Sequence, residues 1–287
     1  MNLRFSKMHG LGNDFMVLDL VTQEAELTPQ QILSWADRHT GVGFDQLLLI
    51  APPTDPQADF RYRIFNSDGT EAEQCGNGTR CVARLVKELN LCTRTEVRWQ
   101  TSTGFLTTRL LEDGQVEVAM GVPSTETSLV PCHPPAAVAR AAHPADSPGY
   151  VLENSAGERF DVVPVSMGNP HGVLFVPDAA AAPVADIGSA LTSHPFFPAR
   201  ANIGFCEIVD PGFIRLRVFE RGVGETRACG TGACAAVVAG RLTKGLRERV
   251  KVSLPGGKVR IQWQGPGSTV TMTGPATLVF HGRINFP

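Results

Sequence analysis

Laid over itself, this sequence repeats. RYRIFN, beginning at Arg61, returns as RLRVFE at Arg215, an offset of 154 residues. At that same offset Cys75-Gly76-Asn77-Gly78 falls on Cys229-Gly230-Thr231-Gly232, and the ten-residue step from Phe65 to Cys75 is kept from Phe219 to Cys229. Upstream, Gly12-Asn13 with Val17-Leu18 meets Gly168-Asn169 with Val173-Leu174; downstream, Gly104 and Gly121 meet Gly257 and Gly274. The small drifts in offset are loop insertions and deletions. So long a period excludes a solenoid, whose repeats are a few tens of residues, and points to one ancestral lobe used twice. A chain of 287 residues has room for two lobes of ordinary size. By symmetry the two Cys-Gly-x-Gly elements are expected to face each other across a pseudo-twofold cleft.

Each half reads as short β runs, a central helix, then more β runs. Phe15 to Leu20, Gln46 to Ile50 and Arg61 to Phe65 precede the first Cys-Gly element, and Val97 to Thr101, Phe105 to Leu111 and Val116 to Met120 follow it. In the second half, Val173 to Val176, Gly204 to Val209 and Ile214 to Phe219 come before, with Val250 to Leu254, Val259 to Trp263 and Val270 to Thr273 after. Thr28-Pro29 with Gln31 is a capping-box start for a peripheral amphipathic helix ending near His39 to Gly41. From Cys229 to Gly240 there is no charged residue, so a helix there must be buried on every side, with sheet around it. Pro131 to Pro148 and Pro177 to Pro183 read as loops.

Charge narrows the partners. With 26 basic against 28 acidic side chains, no field attracts nucleic acid or an anionic membrane, and a small neutral or zwitterionic substrate fits better. MNLRFSKMHG lacks the layout of a signal peptide and no apolar run is long enough to span a bilayer, so the expected location is the cytoplasm. Seven cysteines without CxxC pairs or zinc-ligand spacing predict thiols rather than a disulfide framework or a metal site.

In each Cys-Gly-x-Gly element the cysteine precedes a glycine-rich turn that opens a helix. Exposed backbone N–H groups and the positive end of the helix dipole then point at the sulfur. Lowering a thiol pKa from roughly 8.5 to about 7 needs about 2 kcal/mol, at the upper end of what one helix terminus supplies. The same N–H groups suit a substrate α-carboxylate, and they offset the charge that develops there when the α-proton leaves. Inverting a stereocentre needs a base on one face and an acid on the other; paired cysteines supply both, and as close neighbours they would share one negative charge. Cys81 and Cys234, inside the two helices, read as structural, and Cys92, Cys132 and Cys206 show no motif.

With these elements in view, nearly the whole chain resembles the diaminopimelate epimerase family, through HGLGNDF at His9, FNSDGTEAEQCGNGTRC at Phe65, GNPH at Gly168 and ERGVGETRACGTGAC at Glu220. Thr79, where the pattern has alanine, is a small departure. The resemblance implies an α+β fold of two pseudo-symmetric lobes, each a mainly antiparallel β-sheet wrapped around a central helix. The lobes would span 1–128, completed by a last strand at 276–287, and 129–275, with the active site between them. It implies cofactor-independent epimerisation of LL- to meso-diaminopimelate, on the way to lysine and peptidoglycan precursors. Cys75 and Cys229 would be proton donor and acceptor, and Gly76, Asn77, Gly230 and Thr231 would bind the reacting end. Asn13, Gln46, Asn66, Asn169, Asn202 and Arg221 would line the substrate site, Arg221 taking a carboxylate bidentately. Glu220 would accept from the α-ammonium group, and His171 would lie beside the reacting centre. No metal is expected; a homodimer is allowed for.

Three other readings stay open on the residues alone. The Cys-Gly elements also suit the proline racemase and hydroxyproline epimerase group, although GNPH and ERGVGET do not. A thiol redox or metal-binding protein could use the two cysteines differently, and a noncatalytic amino-acid-binding module could be built on the same duplicated lobe.

Overall fold

The structure is a computed structural model that describes residues 2–72, 75–133 and 149–286. The chain forms two compact units, one of residues 1–119 with 273–287 and one of residues 120–272. The first unit ends at Ala119, ahead of the boundary expected at 128. The reason is that Ser124 bridges to Ser166, and Val130 and Cys132 lie in an apolar core of the second unit. Most of the Pro131 to Pro148 stretch, residues 134–148, lies outside the described residues.

The first unit contains β1 (Asn2–Gly10), β2 (Asn13–Asp19), α1 (Pro29–Ala36), β3 (Gln46–Ala51), β4 (Phe60–Asn66), β5 (Glu71–Ala72), α2 (Gly76–Glu88), β6 (Glu96–Thr101), β7 (Gly104–Leu110) and β8 (Val116–Ala119). The chain's last strand, β18 (Thr277–Asn285), joins it by pairing antiparallel with β1. From there the sheet runs β1, β2, β3, β4, β6, β7, β8, antiparallel except at β2/β3 and β4/β6, and β5 pairs beside β4. Helix α2 touches β1, β2, β3, β7, β8 and β18, so the sheet wraps it. On the other face α1 buries Ile32, Trp35 and Ala36.

The Thr28 hydroxyl accepts from Gln31 N and the Gln31 side chain accepts from Thr28 N, which closes the capping box. The helix stops at Ala36 instead of near His39 to Gly41. Asp37 ends it by turning its carboxylate onto the amides of His39 and Thr40, an Asx turn that competes with further helix.

The second unit repeats this plan. It contains β9 (Tyr150–Glu153), β10 (Arg159–Ser166), β11 (Pro170–Phe175), α3 (Val184–Thr192), β12 (Asn202–Asp210), β13 (Phe213–Glu220), β14 (Gly224–Thr226), α4 (Gly230–Thr243), β15 (Arg249–Leu254) and β16 (Gly257–Gln262). The chain then leaves through β17 (Thr271–Gly274). Its sheet runs β9, β10, β11, β12, β13, β15, β16, with β14 beside β13, and the parallel steps are again two, β11/β12 and β13/β15. Registers repeat as well: Phe15 opposite Gln46 becomes His171 opposite Asn202. This is the α+β architecture expected from the sequence. From Gly232 to Gly240 every residue of α4 is buried, and the helix lies against β10, β11, β12, β13 and β16.

Strands β1, β5, β9, β10 and β14 and helix α3 are absent from the sequence reading. Helix α3 has no side-chain cap and carries Gly188 in its middle, so its local signal is weak; packing of Val184 and Leu191 onto Phe196, Phe197, Ile203 and Phe205 forms it. Gly188 is there because a Cβ would sit 2.5 Å from Cβ of Phe219, the neighbour of Glu220. Gly188→Ala is therefore expected to destabilise the protein by about 1–3 kcal/mol, read as a lower urea midpoint. An unchanged midpoint would mean that α3 is not seated on β13 as described. Among the described residues no helix is long and apolar enough to cross a membrane.

Candidate active site

Both cysteines singled out by the repeat are helix N-caps. Cys75 caps α2 in an extended conformation, φ −147° and ψ 99°, and its sulfur accepts from Gly78 N at 3.4 Å. The Cys75 thiol faces Asn13 Oδ1 at 3.6 Å, and Asn77 Nδ2 donates to that same oxygen at 3.3 Å. Gln46 Nε2 donates to Asn66 Oδ1 at 3.0 Å across the β3/β4 pair, so these two expected ligands also meet. Thr79, the departure from the family pattern, is absorbed in place: its hydroxyl donates to Cys75 O at 3.0 Å.

Cys229 caps α4 at φ −115° and ψ 110° and is 4% exposed. Its sulfur lies 3.6 Å from Thr231 Oγ1, which accepts from Asn169 Nδ2 at 3.4 Å. Asn169 Oδ1 is 3.0 Å from His171 Nε2. Since the amide uses its NH₂ on Thr231, its oxygen accepts from the ring, which places the imidazole proton on Nε2. Asn202 Oδ1 accepts from Arg221 N at 2.9 Å, and the exposed Arg221 guanidinium donates to Ala199 O at 2.8 Å. The Glu220 carboxylate accepts from the Thr226 hydroxyl.

Burial sets the charge states in this unit. It pushes the Cys229 thiol well above its usual range, and the nearby Glu220 charge adds to this, against smaller opposing effects of the Thr231 hydroxyl and the Gly232 amide. A helix start by itself favours the thiolate, but at Cys229 loss of solvent outweighs the dipole. Burial also raises the Glu220 carboxyl, with hydrogen bonds from Thr226 and Cys229 pulling the other way.

His171 is driven down to about 3, first by burial and then by the Arg221 charge, so it is neutral at working pH. An unfolded histidine titrates near 6.5. Below that value the unfolded chain gains a proton that the folded chain refuses, so stability present at neutral pH is lost as pH falls from about 6.5 toward 3. Between pH 7 and 5 this should cost about 2 kcal/mol more in the wild type than in His171→Gln, measured by denaturant unfolding at both pH values. Equal losses in the two proteins would show that His171 is not buried neutral.

Sequence reasoning missed Arg80 and Asp45. Arg80 is fully buried, its guanidinium donating to Asn77 Oδ1 at 2.9 Å, Gly76 O at 3.3 Å and Pro275 O at 3.1 Å. Asp45 accepts from Asn13 Nδ2 at 2.9 Å. Arg80 stood in view within CGNGTRC. Among the described residues no group of three or more His, Cys, Asp or Glu side chains could hold a metal ion.

Comparison with known proteins shows the family. The family model described as Diaminopimelate epimerase matches residues 5–126 and 163–279. The chain is 52% identical over 284 residues to a diaminopimelate epimerase of Pseudomonas paraeruginosa, covering 99% of each protein. It is 50% identical to one from Stutzerimonas stutzeri, again covering 99% of both. Among solved structures, a hydroxyproline epimerase from Agrobacterium vitis superposes with a TM-score of 0.69 at 14% identity, over 99% of this chain and 92% of that one, a likeness of fold alone.

Proposed function

The chain belongs to the diaminopimelate epimerase family and is an isomerase acting on diaminopimelate, and from that premise we propose that Cys75 and Cys229 carry the proton between the two faces of the substrate α-carbon. One observation supports this most: the duplication puts a cysteine at the N-cap of the central helix in each unit. Burial and the Glu220 charge keep the proton on Cys229, so Cys229 enters as the acid and Cys75 as the base. The Cys75 thiolate takes the α-proton, the C–H electron pair spreads into the substrate carboxylate, and the Cys229 thiol delivers its proton to the opposite face. Net charge is unchanged, and the thiol and thiolate exchange places.

The N–H groups at Gly76-Asn77 and Gly230-Thr231, at the starts of α2 and α4, would hold the α-carboxylate, where the helix dipole favours an anion. Asn13, Gln46, Asn66, Asn169, Asn202 and Arg221 would bind the rest of the substrate. Glu220 has a second task besides meeting the α-ammonium group, because it is also the acceptor beside the Cys229 thiol. His171, neutral and buried, acts one step back by orienting Asn169 and through it Thr231. The reading is of a cytoplasmic enzyme that needs no cofactor.

Its test is substrate profiling of the purified, reduced protein without added cofactor. Conversion of LL-diaminopimelate to the meso isomer, with proline and hydroxyproline untouched, is the expected outcome. Racemisation of proline-type substrates alone would overturn the assignment.

A further inference from the structure

Asn13 Oδ1 is the atom that faces the Cys75 thiol, and an amide could equally have presented its NH₂. What decides its direction lies at the two ends of a hydrogen-bonded chain. At one end Asp45, a carboxylate with no proton to give, accepts from Asn13 Nδ2 at 2.9 Å and from Asp14 N at 3.1 Å through the same oxygen. At the other, Arg80 can only donate; it takes Asn77 Oδ1, which leaves Asn77 Nδ2 for Asn13 Oδ1. Both ends favour the same polarity, and Asp45 makes the shorter bond to the Asn13 amide. Asp45 is itself fixed, because its amide donates to Asp14 O at 3.0 Å and its second oxygen accepts from Arg38 at 2.7 Å.

We propose that Asp45 is a positioning residue for Cys75: it locks the Asn13 amide with its carbonyl oxygen, not its amino group, toward the thiol. The proposal rests on the reading of Cys75 as an acid-base group and adds how that group is tuned. A helix start and an amide donating to the sulfur, as Gly78 N does here, favour a thiolate in general, and a thiol made too acidic gives a weak base toward a substrate α-proton. An acceptor held against the thiol opposes that drift. The second unit repeats neither end of this chain: at the repeat offsets Asp45 falls on Ala201 and Arg80 on Cys234. Among the described residues, the titratable groups around the Cys75 sulfur include the buried Tyr62 of β4 and Cys81 of α2, with Arg80 in the same helix; Arg38, Asp14 and Lys7 form ion pairs farther along from Asp45.

The experiment follows iodoacetamide alkylation of the Cys75 peptide by mass spectrometry as a function of pH. It uses full-length protein in a Cys229→Ala background, so that the Cys75 thiol titrates singly. Asp45→Ala leaves the Asn13 amino group without its acceptor, so the amide can turn it to the sulfur at the cost only of the longer, 3.3 Å bond from Asn77, and should lower the alkylation midpoint by roughly half to one pH unit, the equivalent of one ordinary hydrogen bond. Asp45→Asn removes the charge but keeps an acceptor oxygen, and should hold the midpoint near that of the parent. An unmoved midpoint in Asp45→Ala overturns the proposal. So does an equal shift in Asp45→Asn, because the effect would then be charge and not direction. A Cys75→Ala enzyme that still epimerised would sink the role of Cys75 in catalysis yet leave these midpoints readable, so the two failures are distinguishable.

Discussion

Replacing either Cys75 or Cys229 by alanine is expected to lower epimerase turnover by at least about 10²–10⁴-fold, the usual contribution of a positioned acid or base, while leaving the fold intact. The two losses should be similar in size although the cysteines differ in surroundings, because inversion needs a proton taken from one face and returned on the other. Removing both should cost little more than removing one, since the groups act as a unit. Alanine in place of Cys229 removes one buried sulfur at the N-cap of α4, ahead of a helix rich in alanine, so denaturation midpoints should stay close to wild type. Chiral chromatography of the product, with unfolding curves for each variant, checks both statements. An alanine variant within tenfold of wild-type turnover would remove that cysteine from the mechanism.

The second large effect is on stability. Arg80→Met should cost about 3 kcal/mol or more, because it strips donors from buried acceptors, each worth roughly 1–3 kcal/mol when left unmet. Arg80 is the fifth residue of α2, near the positive end of the helix dipole, and a buried cation there needs compensating partners. The compensation is the chain end: Arg80 donates to Pro275 O and Arg84 to Ala276 O at 3.0 Å, which ties α2 to the segment leading into β18. Losing Arg80 should also loosen Asn77, and with it the Cys75 surroundings, so activity should fall along with the denaturant midpoint. An Arg80→Met protein as stable as the parent would mean that these carbonyls find other donors.

The missed elements have a common explanation. Helix α3 is the counterpart of α1 and β10 that of β1 at the repeat offset, and β9 pairs beside β10 as β18 pairs beside β1. Carried through the whole chain, the duplication would have found α3 from α1, whereas local periodicity could not; β10 stays hidden either way, because its counterpart β1 carries no clear local signal. The buried helix after Cys229 was legible because a run without charge admits one environment. Asp45 and Arg80 were not, since their partners at Asn13 and Pro275 are distant in sequence and only the sheet brings them together. The acid character of Cys229 was hidden for a related reason: a helix N-cap can be read from CGTG, but the burial that overrides it is tertiary.

The most direct test of the central claim is to incubate the reduced wild-type protein with LL-diaminopimelate in deuterium oxide and follow the α-proton signal together with the meso isomer. Two-thiol proton transfer predicts that meso product carries deuterium from its first appearance, with no cofactor added, because the proton delivered comes from a solvent-equilibrated thiol opposite the one that took the original. Meso product that keeps the substrate's own hydrogen at the inverted α-carbon would contradict the account.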